Sequence, residues 1–237
     1  MSQIANQIDA ARRLGFSTIS DVLPPTEISN LVDLVEAFPD TVSTGKRGGI
    51  RNIFGVFPWA SKLAWSPPLR RISDQVLGKP SVPVRGTLFD KTPGANWKVP
   101  WHQDLTIEVV ERVEVAGFGP WSTKAGAVSI QPPAWVLEEM ISIRLHLDPC
   151  GEENGALRVV PRSHLLGKLP EEDAVRRGAQ GPEVICEANA GDAVLMKPLL
   201  LHASSASRSP AHRRVIHIDY AACELPAGMM WHSATEF

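Results

Sequence analysis

The sequence lacks the long apolar run that a membrane-spanning protein needs. A membrane helix takes roughly 18 consecutive apolar residues, and the longest candidates here, 193–201 and 215–218, are interrupted by polar residues. The first thirteen residues also lack the basic start and the apolar middle of a signal peptide. We therefore expect a cytoplasmic protein without a membrane partner.

Charge of one sign and paired cysteines are also missing. There are 24 Lys and Arg against 26 Asp and Glu, so the net charge of -2 does not favour nucleic acid as a partner. Three cysteines without a Cys-x-x-Cys spacing disfavour a disulfide framework or a zinc knuckle and indicate reduced, buried thiols. We expect a small-molecule substrate as the partner, and a monomer or a homodimer.

The N-terminal part of the sequence has the pattern of a helical region. Apolar residues recur at helical spacing between residues 4 and 14, between Pro25 and Phe38, and between Ser66 and Gly78. Gly15 and Gly78 follow two of these segments as stop signals. Residues 1–80 are therefore predicted to form packing helices with a short strand between them.

The pattern changes at residue 81 to short runs typical of strands, separated by turn residues. Such runs favour a sandwich or a barrel over alternating strands and helices. We predict a single domain over residues 1–237, in which 81–237 forms the β core. The predicted strands are 82–89, 102–107, 142–147, 157–160, 184–188, 193–196 and 215–220.

A long segment interrupts the predicted strands between residues 109 and 140. It is rich in Gly and Pro and contains Trp121, Lys124, Gln131 and Trp135. Irregular segments of this length are commonly functional loops. We therefore predict that 109–140 is a lid over a substrate, with a plain surface loop as the alternative.

His-x-Asp occurs three times, at 102–104, 146–148 and 217–219. On a strand, residues i and i+2 lie on one face, so this tripeptide presents an imidazole beside a carboxylate. A second histidine completes the set of two histidines and one carboxylate that holds non-haem Fe(II) and leaves positions open for cosubstrate and oxygen. The motif alone is weak evidence, because three copies cannot all serve one site.

The surroundings separate the three copies. The third copy has only His232 downstream and is set aside, whereas the second copy stays open because it could use His202. The first copy is the leading candidate, because it has His202 at the end of a predicted strand over 193–201 and Arg213 on the next strand, eleven residues later. The histidines of the other two copies are predicted to be core residues, with a cavity-lining contact that does not bind the metal as the alternative.

An arginine beside the second ligand histidine has a clear chemical use. Arg213 can form a bidentate pair with the far carboxylate of a dicarboxylic cosubstrate whose other end chelates the metal. Ser204, two residues after His202, can donate to the same carboxylate. A surface position in a basic pair with Arg214 is the alternative for Arg213.

Further motifs follow one another in a fixed order between Phe89 and Tyr220. They are Lys91-Thr92-Pro93, Asn96-Trp97, Trp101-His102-Gln103-Asp104, Asn154-Gly155-Ala156-Leu157, Pro161-Arg162-Ser163-His164, Gly191-Asp192, and 198–205 followed by Arg213. In order and spacing they resemble the phytanoyl-CoA dioxygenase family of Fe(II)- and 2-oxoglutarate-dependent oxygenases. The resemblance implies a mainly β fold, the double-stranded β-helix or cupin-like jelly roll, with the N-terminal helices packed against it.

The resemblance also assigns roles to single residues. It implies that the iron ligands are His102, Asp104 and His202, and that Arg213 and Ser204 bind 2-oxoglutarate.

Two assignments are looser, and one residue departs from the family pattern. Arg144 and Arg51 fall near the positions that contact the metal-bound carboxylate, although Arg51 is equally compatible with a plain loop arginine. The family's usual Pro-Gly-Ser-His turn has Arg162 in place of its glycine, which leaves the geometry of that turn open.

The implied reaction needs Fe(II), 2-oxoglutarate and O2. It oxidises an unactivated C–H bond of a small molecule and releases succinate and CO2. Asp104 favours hydroxylation or a related oxidation, because related halogenases have a small residue at that position. A His/His/Asp zinc hydrolase and a non-catalytic jelly-roll binding protein are the alternatives.

Overall fold

The computed structural model describes residues 3–38, 49–92, 94–124, 126–208 and 212–235. Its helices are α1 Gln3–Leu14, α2 Pro25–Glu36, α3 Ile53–Val56, α4 Pro58–Ala64, α5 Pro67–Leu77, α6 Ala134–Glu138 and α7 Glu171–Gln180. Its strands are β1 Phe16–Ile19, β2 Gly49–Arg51, β3 Val82–Asp90, β4 Val99–His102, β5 Ile107–Val109, β6 Trp121–Lys124, β7 Ala127–Ile130, β8 Met140–His146, β9 Leu157–Val159, β10 Val184–Cys186, β11 Ala193–Met196, β12 His202–Ser204 and β13 Arg214–Ala221.

The three helices expected in the N-terminal region are confirmed as α1, α2 and α5. Gly78 ends α5 in the left-handed region at φ 76° and donates from its N–H to Asp74, as a helix stop should. The short helices α3 and α4 were not predicted. They meet at Phe57 and Pro58, where the extended backbone of Phe57 prevents one continuous helix.

Two antiparallel sheets form the β core. One has six strands in the order β1-β11-β8-β13-β3-β2, and the other has four in the order β10-β9-β12-β4. The chain crosses from the six-stranded to the four-stranded sheet after β3, β8 and β11. This alternation makes a double-stranded β-helix, so the predicted jelly roll is confirmed.

Two predicted strands differ from the observed ones by more than two residues. The expected strand 102–107 is two strands, because β4 ends at His102 and β5 begins at Ile107. The expected continuous strand 193–201 ends at Met196, since Pro198 has no N–H to donate and Leu200 N turns back to Lys197 O at 3.0 Å. His202 consequently begins β12 in the opposite sheet.

The six-stranded sheet has one apolar and one polar face. On β8, Ile141, Ile143 and Leu145 are buried in a cluster with residues of all the helices from α1 to α5. Arg144, between them in sequence, points to the other face, because strand side chains alternate. This inner face looks toward the four-stranded sheet, and the space between the two sheets holds the site described below.

The predicted lid segment contains regular structure. Strands β5, β7 and β6 form a three-stranded sheet, and α6 follows. Trp121 packs half-buried against its own apolar cluster, whereas Trp135 is exposed. The side chain of Lys124 lies outside the described residues, and no described residue of 109–140 lines the cavity between the sheets. A lid function for this segment stays a prediction.

Within the described parts of the chain, no helix is both long enough and apolar enough to cross a membrane.

The turn in which arginine replaces the family's glycine keeps a glycine-like backbone. Arg162 has φ 67° and ψ 1°, and its N–H donates to Leu14 O at 2.7 Å. A non-glycine residue in this left-handed region costs about 1–2 kcal/mol. The turn therefore tolerates the side chain at the expense of backbone strain.

We expect Arg162→Gly to raise the free energy of unfolding by about 0.5–1 kcal/mol, because relief of strain exceeds the extra freedom of the unfolded chain. Urea unfolding measures the change. Arg177→Gly, the same substitution at an exposed position of α7, should instead destabilise the protein by about 1 kcal/mol. Equal effects of the two substitutions would refute the assignment of strain to Arg162.

Candidate metal centre and cavity

Three potential ligands from different parts of the chain meet on the wall of the cavity. His102, Asp104 and His202 each offer a ligand atom, and these atoms all lie within 4.8 Å of one another. Asp104 has one oxygen 3.7 Å from His102 Nε2 and the other 3.6 Å from His202 Nε2. Among the described residues, this is the one group of three that could hold a metal.

Both imidazoles are oriented by backbone carbonyls. His102 Nδ1 lies 2.8 Å from Pro100 O, and His202 Nδ1 lies 2.9 Å from Leu200 O. Because a carbonyl only accepts, each Nδ1 carries the proton and each Nε2 keeps its lone pair for a metal. A two-histidine, one-carboxylate donor set with fixed tautomers suits a divalent transition metal.

Strand register brings the two histidines together. His202 of β12 lies directly opposite His102 of β4 in the four-stranded sheet, with 4.1 Å between ring centroids. Asp104 lies beyond the end of β4, and its N–H donates to Pro198 O at 2.9 Å. The carboxylate is therefore held by the turn that precedes His202, and not by its own strand as the His-x-Asp spacing suggested.

Gln103 fastens the same turn from the opposite side. Its Nε2 donates to Leu199 O at 2.7 Å and to Gly167 O at 2.8 Å, and its Oε1 accepts from Leu169 N at 2.8 Å. Ser163 adds a further link, because its hydroxyl accepts from Leu201 N at 2.8 Å and donates to Val160 O. The positions of the candidate ligands thus depend on the Gln103 and Ser163 side chains, which are not part of the candidate metal-binding group.

The charges at the centre favour metal binding at neutral pH. Burial, followed by the proximity of His102, lowers the pKa of His202 to about 3, so its imidazole is neutral. Burial alone would raise the pKa of Asp104, but the neighbouring histidines and Arg85 outweigh it and lower the pKa to about 2. The site therefore presents an anionic oxygen donor and a neutral nitrogen donor without a change of protonation.

The cavity has a volume of about 630 Å³ and is strongly cationic. That size is typical of small-molecule sites. It is lined by Arg51, Arg85, Thr87, Phe89, Trp97, Lys98, Val99, Pro100, His102, Asp104, Thr106, Arg144, Leu157, His202, Ala203, Ser204, Arg213 and His217.

One end of the cavity carries Arg213 and Ser204. Arg213 is 4% exposed, donates from Nη1 to Gly155 O, and leaves its buried Nε without a partner. The sequence predicted Arg213 on a strand beside His202. It lies instead just before β13, at the end of the six-stranded sheet. Arg214 points the other way and forms a bidentate pair with Asp148, at 2.8 Å for both contacts. The alternative of a surface pair for Arg213 is therefore wrong.

Arg144 lies on the cavity wall in a buried hydrogen-bonded chain. Its Nη1 donates to His217 Nδ1 at 2.8 Å, and His217 Nε2 donates to Asp219 Oδ1 at 2.9 Å. Arg85 Nε donates to the other oxygen of Asp219 at 2.6 Å, and Arg85 and His217 hold the pKa of that carboxylate well below its usual range despite burial. Arg144 Nε has no partner, and burial together with Arg213 lowers the pKa of this guanidinium to about 10.

Arg51 lies at the exposed edge of the same cavity. It ends β2 and pairs in register with Thr87 of β3, as counting back from Thr87 suggested. The structure thus brings Arg51, Arg144, Arg213 and Ser204 to one cavity with the three ligands.

The two other His-x-Asp copies have different roles. His217 and Asp219 belong to the chain that holds Arg144. His146 is buried with neither ring nitrogen bonded, and burial lowers its pKa to about 3, while Asp148 is bound to Arg214. The second copy, His146 and Asp148, therefore does not join His202 in the candidate metal-binding group of the described residues.

Sequence reasoning missed Lys91 as a site residue. It is fully buried, and its Nζ donates to Ser204 Oγ at 3.4 Å and to Ser205 O. The available signal was its place at the end of a predicted strand whose alternate residues Thr87 and Phe89 line the cavity.

The family model for phytanoyl-CoA dioxygenase (PhyH) matches residues 11–215. No curated protein matches the chain significantly.

Solved structures share the fold over nearly the whole chain. AviO1 from Streptomyces viridochromogenes Tue57 is 24% identical with a TM-score of 0.70, over 95% of this chain and 99% of that one. EvdMO1 is 26% identical with a TM-score of 0.69, over 94% of this chain but 51% of its own length. The epimerase SnoN, solved with Fe3+, alpha ketoglutarate and nogalamycin RO, is 15% identical with a TM-score of 0.71, over 95% of this chain and 91% of that one.

Gln103→Leu should loosen the turn that carries His202. The substitution leaves two carbonyls and one N–H without their partner, so we expect a loss of about 3 kcal/mol in the free energy of unfolding. Metal affinity should fall about ten-fold, as is usual when groups behind the ligands are removed. Urea unfolding and metal titration measure both effects.

Gln180→Leu, at the exposed end of α7, is the matched control and should change neither quantity. Wild-type stability in the Gln103 variant would show that these hydrogen bonds do not hold the turn.

Proposed function

Because the chain belongs to the phytanoyl-CoA dioxygenase family, we propose that it is an Fe(II)- and 2-oxoglutarate-dependent oxygenase that hydroxylates an unactivated C–H bond of a small molecule. The observation that carries the proposal is the placement of His102, Asp104 and His202 in the same cavity as Arg213 and Ser204. A dicarboxylate that chelates a metal needs the metal ligands at one end and a cation such as Arg213 at the other.

The donor set fits iron. In the proposed enzyme, His102 and His202 would bind iron through Nε2 and Asp104 would bind it through its carboxylate. Iron bound there supplies the coupled decarboxylation of 2-oxoglutarate to succinate and CO2 and the oxidation of the substrate by O2. The complex of SnoN with Fe3+ and alpha ketoglutarate supports the same cofactors here.

The cationic residues fit the cosubstrate. Arg213 and Ser204 would bind its distal carboxylate, since both are buried and the Arg213 Nε has no other partner. Arg144 and Arg51 would lie beside the end that chelates the metal, and Phe89 packs under the Arg144 guanidinium at 5.4 Å. The protein's contribution is to hold both ends of one dianion while the metal faces the substrate.

Asp104 bears on the type of oxidation. A carboxylate at this position occupies the place where a halide would bind, which favours hydroxylation. A zinc hydrolase would use the same three ligands, but it would leave the buried Arg213 and Ser204 without a purpose.

The first test is cosubstrate turnover after anaerobic loading with Fe(II). We expect O2-dependent formation of succinate and CO2 from 2-oxoglutarate, increased by the right member of a panel of small molecules. His102→Ala should reduce this turnover at least about a hundred-fold, because two remaining ligands hold the metal poorly.

His232→Ala, in the C-terminal turn away from the cavity, should leave turnover unchanged. The proposal fails if wild type and His102→Ala turn over 2-oxoglutarate equally, or if activity requires Zn(II) and no O2.

Arg213→Met should raise the KM for 2-oxoglutarate about a hundred-fold and change kcat less. The substitution removes a charge-assisted bidentate donor from the far end of the cosubstrate, whereas the metal centre keeps its ligands. Steady-state kinetics measure the two constants separately.

Arg214→Met is the matched control, since the neighbouring arginine binds Asp148 and Glu36 on the other side of the strand. It should lower stability and leave the KM near that of the wild type. A larger KM change from Arg214 than from Arg213 would contradict the assignment.

A further inference from the structure

Lys91 is a buried lysine without an anionic partner. Its exposed fraction is 0%, and among the described residues its ammonium group contacts the uncharged oxygens of Ser204 and Ser205 and the ring of Trp97. Burial, followed by the proximity of Arg213, lowers the pKa of its ammonium group to about 8. A lysine in such surroundings is rare without a specific use, because removing a charge from water is unfavourable.

Backbone pairing places Lys91 on the same face as Arg213. Lys91 N donates to Arg213 O at 3.3 Å, and Arg213 N donates to Lys91 O at 3.1 Å. This pair continues the register of β3 and β13 by one residue beyond Arg214 and Asp90. Side chains of directly opposed residues lie on one face of an antiparallel pair, so two cations stand side by side at the end of the cavity.

The contact with Lys91 determines whether the Ser204 hydroxyl donates or accepts there. An ammonium group only donates, so Ser204 Oγ is the acceptor in their 3.4 Å contact. The Ser204 hydroxyl proton has no acceptor among the described residues, and Ser204 lines the cavity. Lys91 also donates to Ser205 O and has the Trp97 ring 5.5 Å from its Nζ, which fixes the ammonium group behind Ser204.

We propose that Lys91 is a positioning residue of the cosubstrate site, which acts through Ser204. By occupying the Ser204 lone pair from behind, it turns the hydroxyl proton into the cavity, where that proton bonds the distal carboxylate of 2-oxoglutarate beside Arg213. The inference rests on the proposed function, because it needs a ligand with a carboxylate at that end.

Gly155 leaves room for this arrangement. Its φ is 77°, and a Cβ built on it would lie 2.4 Å from Ser205 O and 3.0 Å from Lys91 Nζ. Its carbonyl accepts from Arg213 Nη1. One glycine thus allows Lys91, Ser205 and Arg213 to approach closely, and any side chain would displace them.

The test is anaerobic calorimetric titration of the Fe(II)-loaded protein with two ligands. 2-Oxoglutarate carries the distal carboxylate, whereas 2-oxobutanoate keeps the metal-chelating end and lacks that carboxylate. We expect Lys91→Met to weaken 2-oxoglutarate about ten-fold, as for loss of a charge-assisted contact, and to leave 2-oxobutanoate unchanged. Equal changes for the two ligands would overturn the proposal.

Lys197→Met is the matched control. Lys197 is a half-buried lysine whose pKa is also lowered to about 8, chiefly by burial, and it donates to Glu138 O away from the cavity. Its substitution should alter neither affinity. If it shifts the 2-oxoglutarate affinity as much as Lys91→Met does, the effect is one of general stability and the proposal is wrong.

A double substitution tests the route through Ser204. In the Ser204→Ala background, Lys91→Met should weaken 2-oxoglutarate less than two-fold, because there is no hydroxyl left to orient. Ten-fold weakening in both backgrounds would overturn that route. If Lys91→Met does not fold, Lys91→Gln, which keeps a donor but not the charge, should give an intermediate affinity, and wild-type affinity in it would refute the proposal.

The two levels of failure are distinguishable. Wild-type protein that binds neither 2-oxo acid would overturn the proposed function together with the role of Lys91. Wild-type protein that binds 2-oxoglutarate, with unchanged preference in the Lys91 variants, would overturn only the role of Lys91.

Discussion

The pairing of β4 with β12 is the constraint on which the metal centre depends. It sets His102 directly opposite His202, and a slip of one residue would send one of the imidazoles to the other face of the sheet. The register is held beyond the strands as well, where Asp104 N and the Gln103 side chain bind successive carbonyls of the turn 198–201. Strand pairing therefore aligns the two histidines, and the turn that precedes His202 places Asp104 beside them.

Strand alternation in the six-stranded sheet likewise places the side chains at the other end of the cavity. The strands of the six-stranded sheet bury every second side chain against the helices. The side chains between them therefore point to the inner face. On that face Arg85 is neutralised by Asp219, but Arg144 and Arg213 have no carboxylate partner among the described residues. Uncompensated buried cations facing a metal-binding group are what a chelating dianion requires.

Much of this organisation follows from local sequence patterns. Helical periodicity and stop glycines located α1, α2 and α5, and the run 193–196 coincides with β11. Spacing and family motifs also singled out His102, Asp104, His202 and Arg213, which the structure brings to one cavity. These features are local, because a helix stripe, a strand or a short motif is encoded within about a dozen residues.

The remainder depends on contacts between distant segments. Nothing near Asp104 shows that its N–H binds Pro198, so the strand 102–107 was predicted too long. His217 and Asp219 match the ligand pattern as well as His102 and Asp104 do, and only their bonds to Arg144 and Arg85 separate the two pairs. Lys91 was missed for the same reason, since its partners Ser204 and Ser205 lie 113 and 114 residues away.

The buried cations also imply a link between binding and stability. Burial is the main cause of the lowered pKa values of Lys91 and Arg144, and repulsion from the nearby Arg213 adds to it. Repulsion of this kind opposes folding, and a native protein tolerates it where function requires it. A dianion bound among these groups would remove that repulsion and stabilise the folded state by mass action.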